Sequence, residues 1–170
     1  MAQGMHVVIA SGRDKNGCKF VYEPLGLENG NHFLALVNGQ VVYDFENKEY
    51  DLDDVLTAED GVKIQKVCKQ FGVEGIFQCG YDFYSYISSL NRVKKKVINA
   101  ILGEPDDYGL KDGKENRNFI DLPFEEIRLT QDINKVIMVH SPRFFEKNFE
   151  GIKAALSDYD VLLIGPDWLE

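Results

Sequence analysis

The sequence predicts an α+β (mixed α/β) fold in a single domain over residues 1–170. Antiparallel hairpins in the N-terminal part join a C-terminal βαβ unit, and the sheet is flanked by helices. Three observations carry this expectation. An Asn-Gly dipeptide separates two β-rich runs, a helical apolar period sets in after residue 53, and strand, helix and strand alternate over residues 135–164. At 170 residues one core is the default, and 44% hydrophobic residues supply enough apolar surface to offset the entropy of ordering the chain.

The N-terminal part reads as β structure. His6–Ala10 is a short apolar run, Asp14-Lys15-Asn16-Gly17 is turn chemistry, and Lys19–Tyr22 returns to β-rich residues, a hairpin signal. A second hairpin is more sharply marked: His32–Val37, then Asn38-Gly39, then Gln40–Phe45. Its register depends on the turn. A three-residue loop with Gly39 left-handed sets His32 opposite Asp44, whereas a two-residue Asn-Gly turn pairs Phe33 with Asp44 and puts His32 and Asp44 on opposite faces.

From Asp53 the period changes. Ile64, Val67, Cys68 and Phe71 fall at i, i+3, i+4 and i+7 ahead of Gly72, which predicts a helix with Cys68 in its core stripe. Val73–Phe77 reads as extended. Phe83, Ile87, Leu90, Val97 and Ile101 predict a second helix from about Asp82 to Leu102, stopped by Gly103 and Pro105 and carrying the basic run Arg92–Lys96. Residues 103–118 read as a long polar excursion, and Phe119–Leu129 as short extended pieces.

The C-terminal third predicts a strand at Lys135–His140, a helix opened by Ser141 as cap and Pro142 at its first position, and a strand at Asp160–Ile164. Phe145, Phe149, Ile152 and Leu156 form the apolar stripe of that helix. Such a βαβ unit calls for parallel strands and a right-handed crossover.

Charge and motifs exclude several function classes. Lys plus Arg total 19 against 28 Asp plus Glu, a net charge of −9, which argues against nucleic acid as a general partner. No apolar run approaches the roughly 20 residues that span a bilayer, and Met1–His6 shows no export signal, so no membrane is expected and the localisation expected is cytoplasmic. The three cysteines form no CxxC pair, and with three scattered histidines they give no zinc spacing. The carboxylates Glu46, Glu49, Asp51, Asp53 and Asp54 lack an EF-hand glycine in register, and Asp53 or Asp54 reads more simply as a helix cap. No metal and no cofactor are called for. The chain also has no GxxxxGK[ST], GxGxxG, HExxH or GxSxG motif.

Two constellations could carry chemistry. His32, Asp44 and Cys79 offer a base, an orienting carboxylate and a nucleophile, with Cys79 just ahead of the helix expected at Asp82, where a helix N-terminus would lower the thiol pKa. At the carboxyl ends of the C-terminal strands, His140, Ser141, Arg143 and Asp167 surround a helix start whose amides could hold an anion.

The segment His32-Phe-Leu-Ala-Leu-Val-Asn-Gly-Gln-Val-Val-Tyr-Asp44 with Cys79-Gly-Tyr-Asp-Phe resembles the circularly permuted branch of the papain-like (NlpC/P60-type) cysteine hydrolases and acyltransferases, over residues 30–90. That family commonly has Asn before the cysteine, where this chain has Gln78. The resemblance implies that Cys79 attacks an amide or ester, His32 acts as base and Asp44 orients it. Beside a cysteine hydrolase or acyltransferase acting on a small-molecule or peptide substrate stand two other readings. One is a small-molecule or nucleotide-binding protein using His140, Ser141, Arg143 and Asp167. The other is an acidic interaction protein that binds a basic protein partner.

Overall fold

In a computed structural model the described residues are 4–52, 55–80, 82–103, 118–124 and 129–170, of residue 118 the backbone alone. The mixed α/β class holds. The chain forms two compact units, Met1–Val55 and Leu56–Glu170. Each has its own sheet, where the sequence reading expects one shared sheet.

In the first unit, β1 (Val8–Ala10), β2 (Phe33–Leu36), β3 (Val41–Asp44) and β4 (Glu49–Leu52) lie in that order, with β1 parallel to β2 and the other pairs antiparallel. Leu34, Leu36, Val41 and Tyr43 share one face and pack with Cys18, Tyr22 and Leu27. Lys19–Tyr22 is therefore not the second arm of a hairpin. It opens the helix α1 (Lys19–Leu25), which Gly26 closes in the left-handed region. Asp14 Oδ1 accepts the Gly17 N–H at 2.7 Å in the turn before it. Cys18 and Tyr22, four residues apart, are the buried side of this short piece, so tertiary burial overrides the β preference of Phe20, Val21 and Tyr22.

The second unit begins with α2 (Ala58–Phe71), capped by a reciprocal box in which Thr57 and Asp60 bond each other's backbone, and ended by a left-handed Gly72 as the sequence predicts. Asp53 and Asp54 lie outside the described residues. β5 (Glu74–Cys79) and β6 (Asp82–Ile87) pair antiparallel, α3 (Ser89–Leu102) follows, and β7 (Asn118–Pro123) pairs parallel with β6. The long helix expected from Asp82 is thus a strand and a helix. Asp82–Ile87 alternates with period two along the sheet, and Ser88 accepts the Asn91 N–H at 3.2 Å to start α3. Phe83 and Ile87 are buried in the sheet, while Leu90, Val97 and Ile101 of the same expected stripe are exposed. Most of the excursion read over 103–118 lies outside the described residues.

β8 (Lys135–Val139), α4 (Pro142–Ala155), β9 (Leu163–Gly165) and β10 (Trp168–Leu169) complete the unit, and the sheet order is β7-β6-β5-β8-β10-β9. β8 and β9 run in the same direction, yet β10 stands between them, antiparallel to both. The expected unit of neighbouring parallel strands is corrected accordingly; within this unit the parallel neighbours with a helix between them are β6 and β7, as β1 and β2 are in the first. Phe77, Cys79, Tyr86, Leu122, Met138 and Leu169 line one sheet face and pack with Ile64, Val67 and Cys68 of α2 and Phe145, Ile152 and Leu156 of α4. A Cβ on Gly75 would stand 2.7 Å from Cys68 Sγ, so the glycine lets α2 approach the sheet.

Candidate functional site

Ligands of parallel α/β sheets bind outside the carboxyl ends of the strands, and in the first unit β1 and β2 end side by side. After β1 comes Ser11-Gly12-Arg13, and after β2 the turn Val37-Asn38-Gly39. The two are stitched together by backbone hydrogen bonds: Ser11 N–H to Ala35 O at 2.8 Å, Asn38 N–H to Ser11 O at 3.3 Å and Val37 N–H to Arg13 O at 3.1 Å. Ser11 Oγ accepts the Arg13 N–H at 3.1 Å, which curls the first loop.

The second loop is strained. Val37, Asn38 and Gly39 all have positive φ, at 49°, 59° and 94°. Asparagine and glycine tolerate this region, but a β-branched residue there is an outlier of the kind that costs on the order of 1–3 kcal/mol and concentrates at functional sites. Val37 is held in it by its hydrogen bond to Arg13 and by a side chain only 4% exposed in the core. The loops at these two adjoining strand ends thus carry a hydroxyl, a guanidinium and a carboxamide, side-chain groups that can donate hydrogen bonds to an oxyanion.

The cysteine-centred constellation does not form. Phe33 pairs with Asp44, so His32 and Asp44 fall on opposite faces of the hairpin. His32 is buried and its Nδ1 accepts the Val7 N–H at 3.2 Å, which occupies the nitrogen a base would use. The Asp44 carboxylate accepts from Glu46 N–H at 2.8 Å, Asn47 N–H at 3.2 Å and Asn47 Nδ2 at 2.7 Å, closing the turn to β4. Cys79 belongs to the second unit. It ends β5, with strand β6 after it, so no helix N-terminus stands there to stabilise a thiolate. Burial pushes its thiol up to about 11; a hydrogen bond with Gln131 opposes this, and Asp82 and Asp132 add to it. Cys68 is pushed up by burial to about 12.

His140, Ser141 and Asp167 do come together, since His140 N–H bonds Asp167 O at 3.2 Å. The amides of the helix start are largely spent, however. Ser141 N–H donates to His140 Nδ1 at 2.8 Å, Pro142 has none, and Phe144 N–H turns back to Ser141 O at 2.9 Å, which leaves only that of Arg143. The His140 ring stacks on Phe144 at 3.9 Å, and burial lowers its pKa. Glu46, Glu49 and Asp51 stand in the β3–β4 turn and on exposed β4; among the described residues no three His, Cys, Asp or Glu side chains gather as a metal site. No helix of the described residues is long and apolar enough to cross a membrane.

Sequence reasoning missed Ser11, Arg13 and Asn38. The signal was present, since small and polar residues follow both apolar runs. Pairing His6–Ala10 with Lys19–Tyr22 instead of Phe33–Leu36 kept the two ends apart.

Comparison with known proteins gives one family. A family model for haloacid dehalogenase-like hydrolases matches residues 1–170. A Streptococcus pyogenes protein named as a candidate phosphatase is 33% identical over 93 residues, covering 50% of this chain and 34% of that protein. Among solved structures, a haloacid dehalogenase-like hydrolase from Bacteroides thetaiotaomicron superposes with a TM-score of 0.68 at 17% identity, covering 98% of this chain and 57% of its own. A subclass IIB sugar phosphatase of the same superfamily does so with a TM-score of 0.62 at 15% identity, covering 99% and 56%. The chain thus spans about a third of the curated relative and just over half of the solved ones. These matches overturn the resemblance to papain-like hydrolases, and with it the Cys79–His32–Asp44 enzyme. The chain belongs to the haloacid dehalogenase-like hydrolases.

Proposed function

We propose that this chain is part of a phosphatase, and that Ser11, Arg13 and Asn38 bind the phosphoryl group of a phosphate monoester. The observation that carries this reading is the meeting of the Ser11–Arg13 loop and the strained Val37–Gly39 turn at the ends of parallel β1 and β2. The reaction is transfer of the phosphoryl group to water, releasing an alcohol and inorganic phosphate. Its charge develops on the phosphoryl oxygens, so donors fixed around them are what a protein scaffold contributes. Arg13 supplies a planar fork that matches two such oxygens, and Ser11 and Asn38 supply neutral donors. A local cation is needed because the chain as a whole, at −9, repels an anionic substrate.

The names of the relatives support the same chemistry: one is named as a candidate phosphatase and another is a sugar phosphatase. A phosphorylated sugar is therefore the substrate class we propose. Phosphate release from a panel of sugar phosphates, with loss of activity in Arg13→Ala, tests the reading. An Arg13→Ala variant that hydrolyses the panel as fast as the parent would remove Arg13 from the site.

A further inference from the structure

Arg13 and Lys15 are the cations of the loop that follows β1, in a chain where acidic side chains outnumber basic ones 28 to 19. Among the described residues neither makes an ion pair with a carboxylate; each lies over an aromatic ring. Arg13 Cζ is 5.7 Å from the centroid of Phe20. Lys15 Nζ is 3.5 Å from that of Tyr43, with Phe45 at 5.8 Å and Tyr50 at 6.0 Å. The two kinds of seat differ in consequence. A carboxylate would neutralise the guanidinium and occupy the donors an incoming anion needs. A ring face attracts the cation through its quadrupole and leaves the charge in place.

Phe20 itself calls for an explanation. It lies in the first turn of α1 and is 69% exposed, so it takes no part in the core formed by Cys18 and Tyr22. Contact with Arg13 gives the exposed ring a role.

We propose that Phe20 is a positioning residue for Arg13, its ring seating the guanidinium beside the ends of β1 and β2 with its donors open to a phosphoryl group. This rests on the reading of Ser11, Arg13 and Asn38 as the phosphoryl site. Lys15 on Tyr43 anchors the far end of the same loop in the same way.

The test is titration of inorganic phosphate into the full chain by calorimetry, for the parent and for Arg13→Ala, Phe20→Leu and Phe20→Tyr. Phe20→Leu should weaken phosphate binding about threefold, the scale of an exposed cation–π contact. Its thermal midpoint should not change, because the ring is outside the core. Phe20→Tyr should restore the affinity. The Arg13 Hε resonance should be shifted by the ring current in the parent and in Phe20→Tyr and return to its ordinary position in Phe20→Leu. Parent-like affinity and an unmoved Hε resonance in Phe20→Leu, with binding lost in Arg13→Ala, would overturn the role of Phe20 and leave the site standing. A parent that does not bind phosphate, or an Arg13→Ala variant that binds as the parent does, would overturn the site and this inference with it.

Discussion

Asn38 lies folded over Gly12: its Oδ1 is 2.5 Å from the place where a Cβ on residue 12 would stand. Real Cβ atoms do not come so close to an oxygen, so residue 12 has no room for a side chain while Asn38 keeps this position. The small residue and the left-handed turn are one arrangement. The first must stay small because the second leans over it.

Gly12→Ala should therefore displace the Asn38 side chain. The expected loss is about 1 kcal/mol of stability, the lower end of what overpacking costs, together with weaker phosphate binding. Urea unfolding and a phosphate titration read the two effects. Unchanged affinity would show that Asn38 does not touch the ligand.

The thiols should be inert. Cys18, Cys68 and Cys79 are all buried, and burial pushes Cys79 to about 11 and Cys68 to about 12. Iodoacetamide near neutral pH should label none of them ahead of unfolding, since the thiolate is the reactive species. Mass spectrometry of the partly labelled protein checks this; rapid modification of Cys79 alone in the folded protein would contradict it.

Acid should weaken the start of α2. Hydrogen bonds from the Thr57 side chain and backbone, from Tyr159 OH at 2.9 Å and from Lys63 hold the Asp60 carboxyl well below the ordinary carboxylate range, against an upward push from burial. A group depressed in the folded state contributes stability that is present above its unfolded pKa of about 4 and is lost as pH falls below it. Asp60→Asn should flatten the pH dependence of the urea midpoint below about pH 4, and Tyr159→Phe should flatten it in part. An acid limb unchanged in Asp60→Asn would assign it to other carboxylates.

Ser141→Ala should be nearly silent, within about 0.5 kcal/mol. A serine cap ordinarily contributes about 1 kcal/mol through its side chain, but Ser141 makes no side-chain cap bond, and its Oγ sits 3.3 Å from His140 Nδ1. Thermal unfolding decides between the two values, and a loss near 1 kcal/mol would show that the hydroxyl caps α4 in solution.

Several elements were legible from local order alone. The Asn38-Gly39 hairpin, the stripe Ile64, Val67, Cys68 and Phe71 ending at Gly72, strand Lys135–Val139 and the helix opened by Pro142 stand where period and punctuation put them. Each is specified by residues within one turn or one ladder of each other, and burial then agrees with the local preference.

Partnership is what the sequence left undetermined. Whether the residues after Ser88 continue a helix begun at Asp82, whether β8 neighbours β9 or β10, and whether Val8–Ala10 pairs with a near or a distant segment all turn on contacts between residues far apart in the chain. The register of β2 on β3, one residue from the alternative, was enough to separate His32 from Asp44. The functional assignment went the same way. Ser11, Arg13 and Asn38 are unremarkable one at a time, and their two loops meet only where parallel pairing of β1 and β2 brings the strand ends together. Composition and period act over a few residues; pairing is chosen by which faces bury each other, and that is a property of the folded chain.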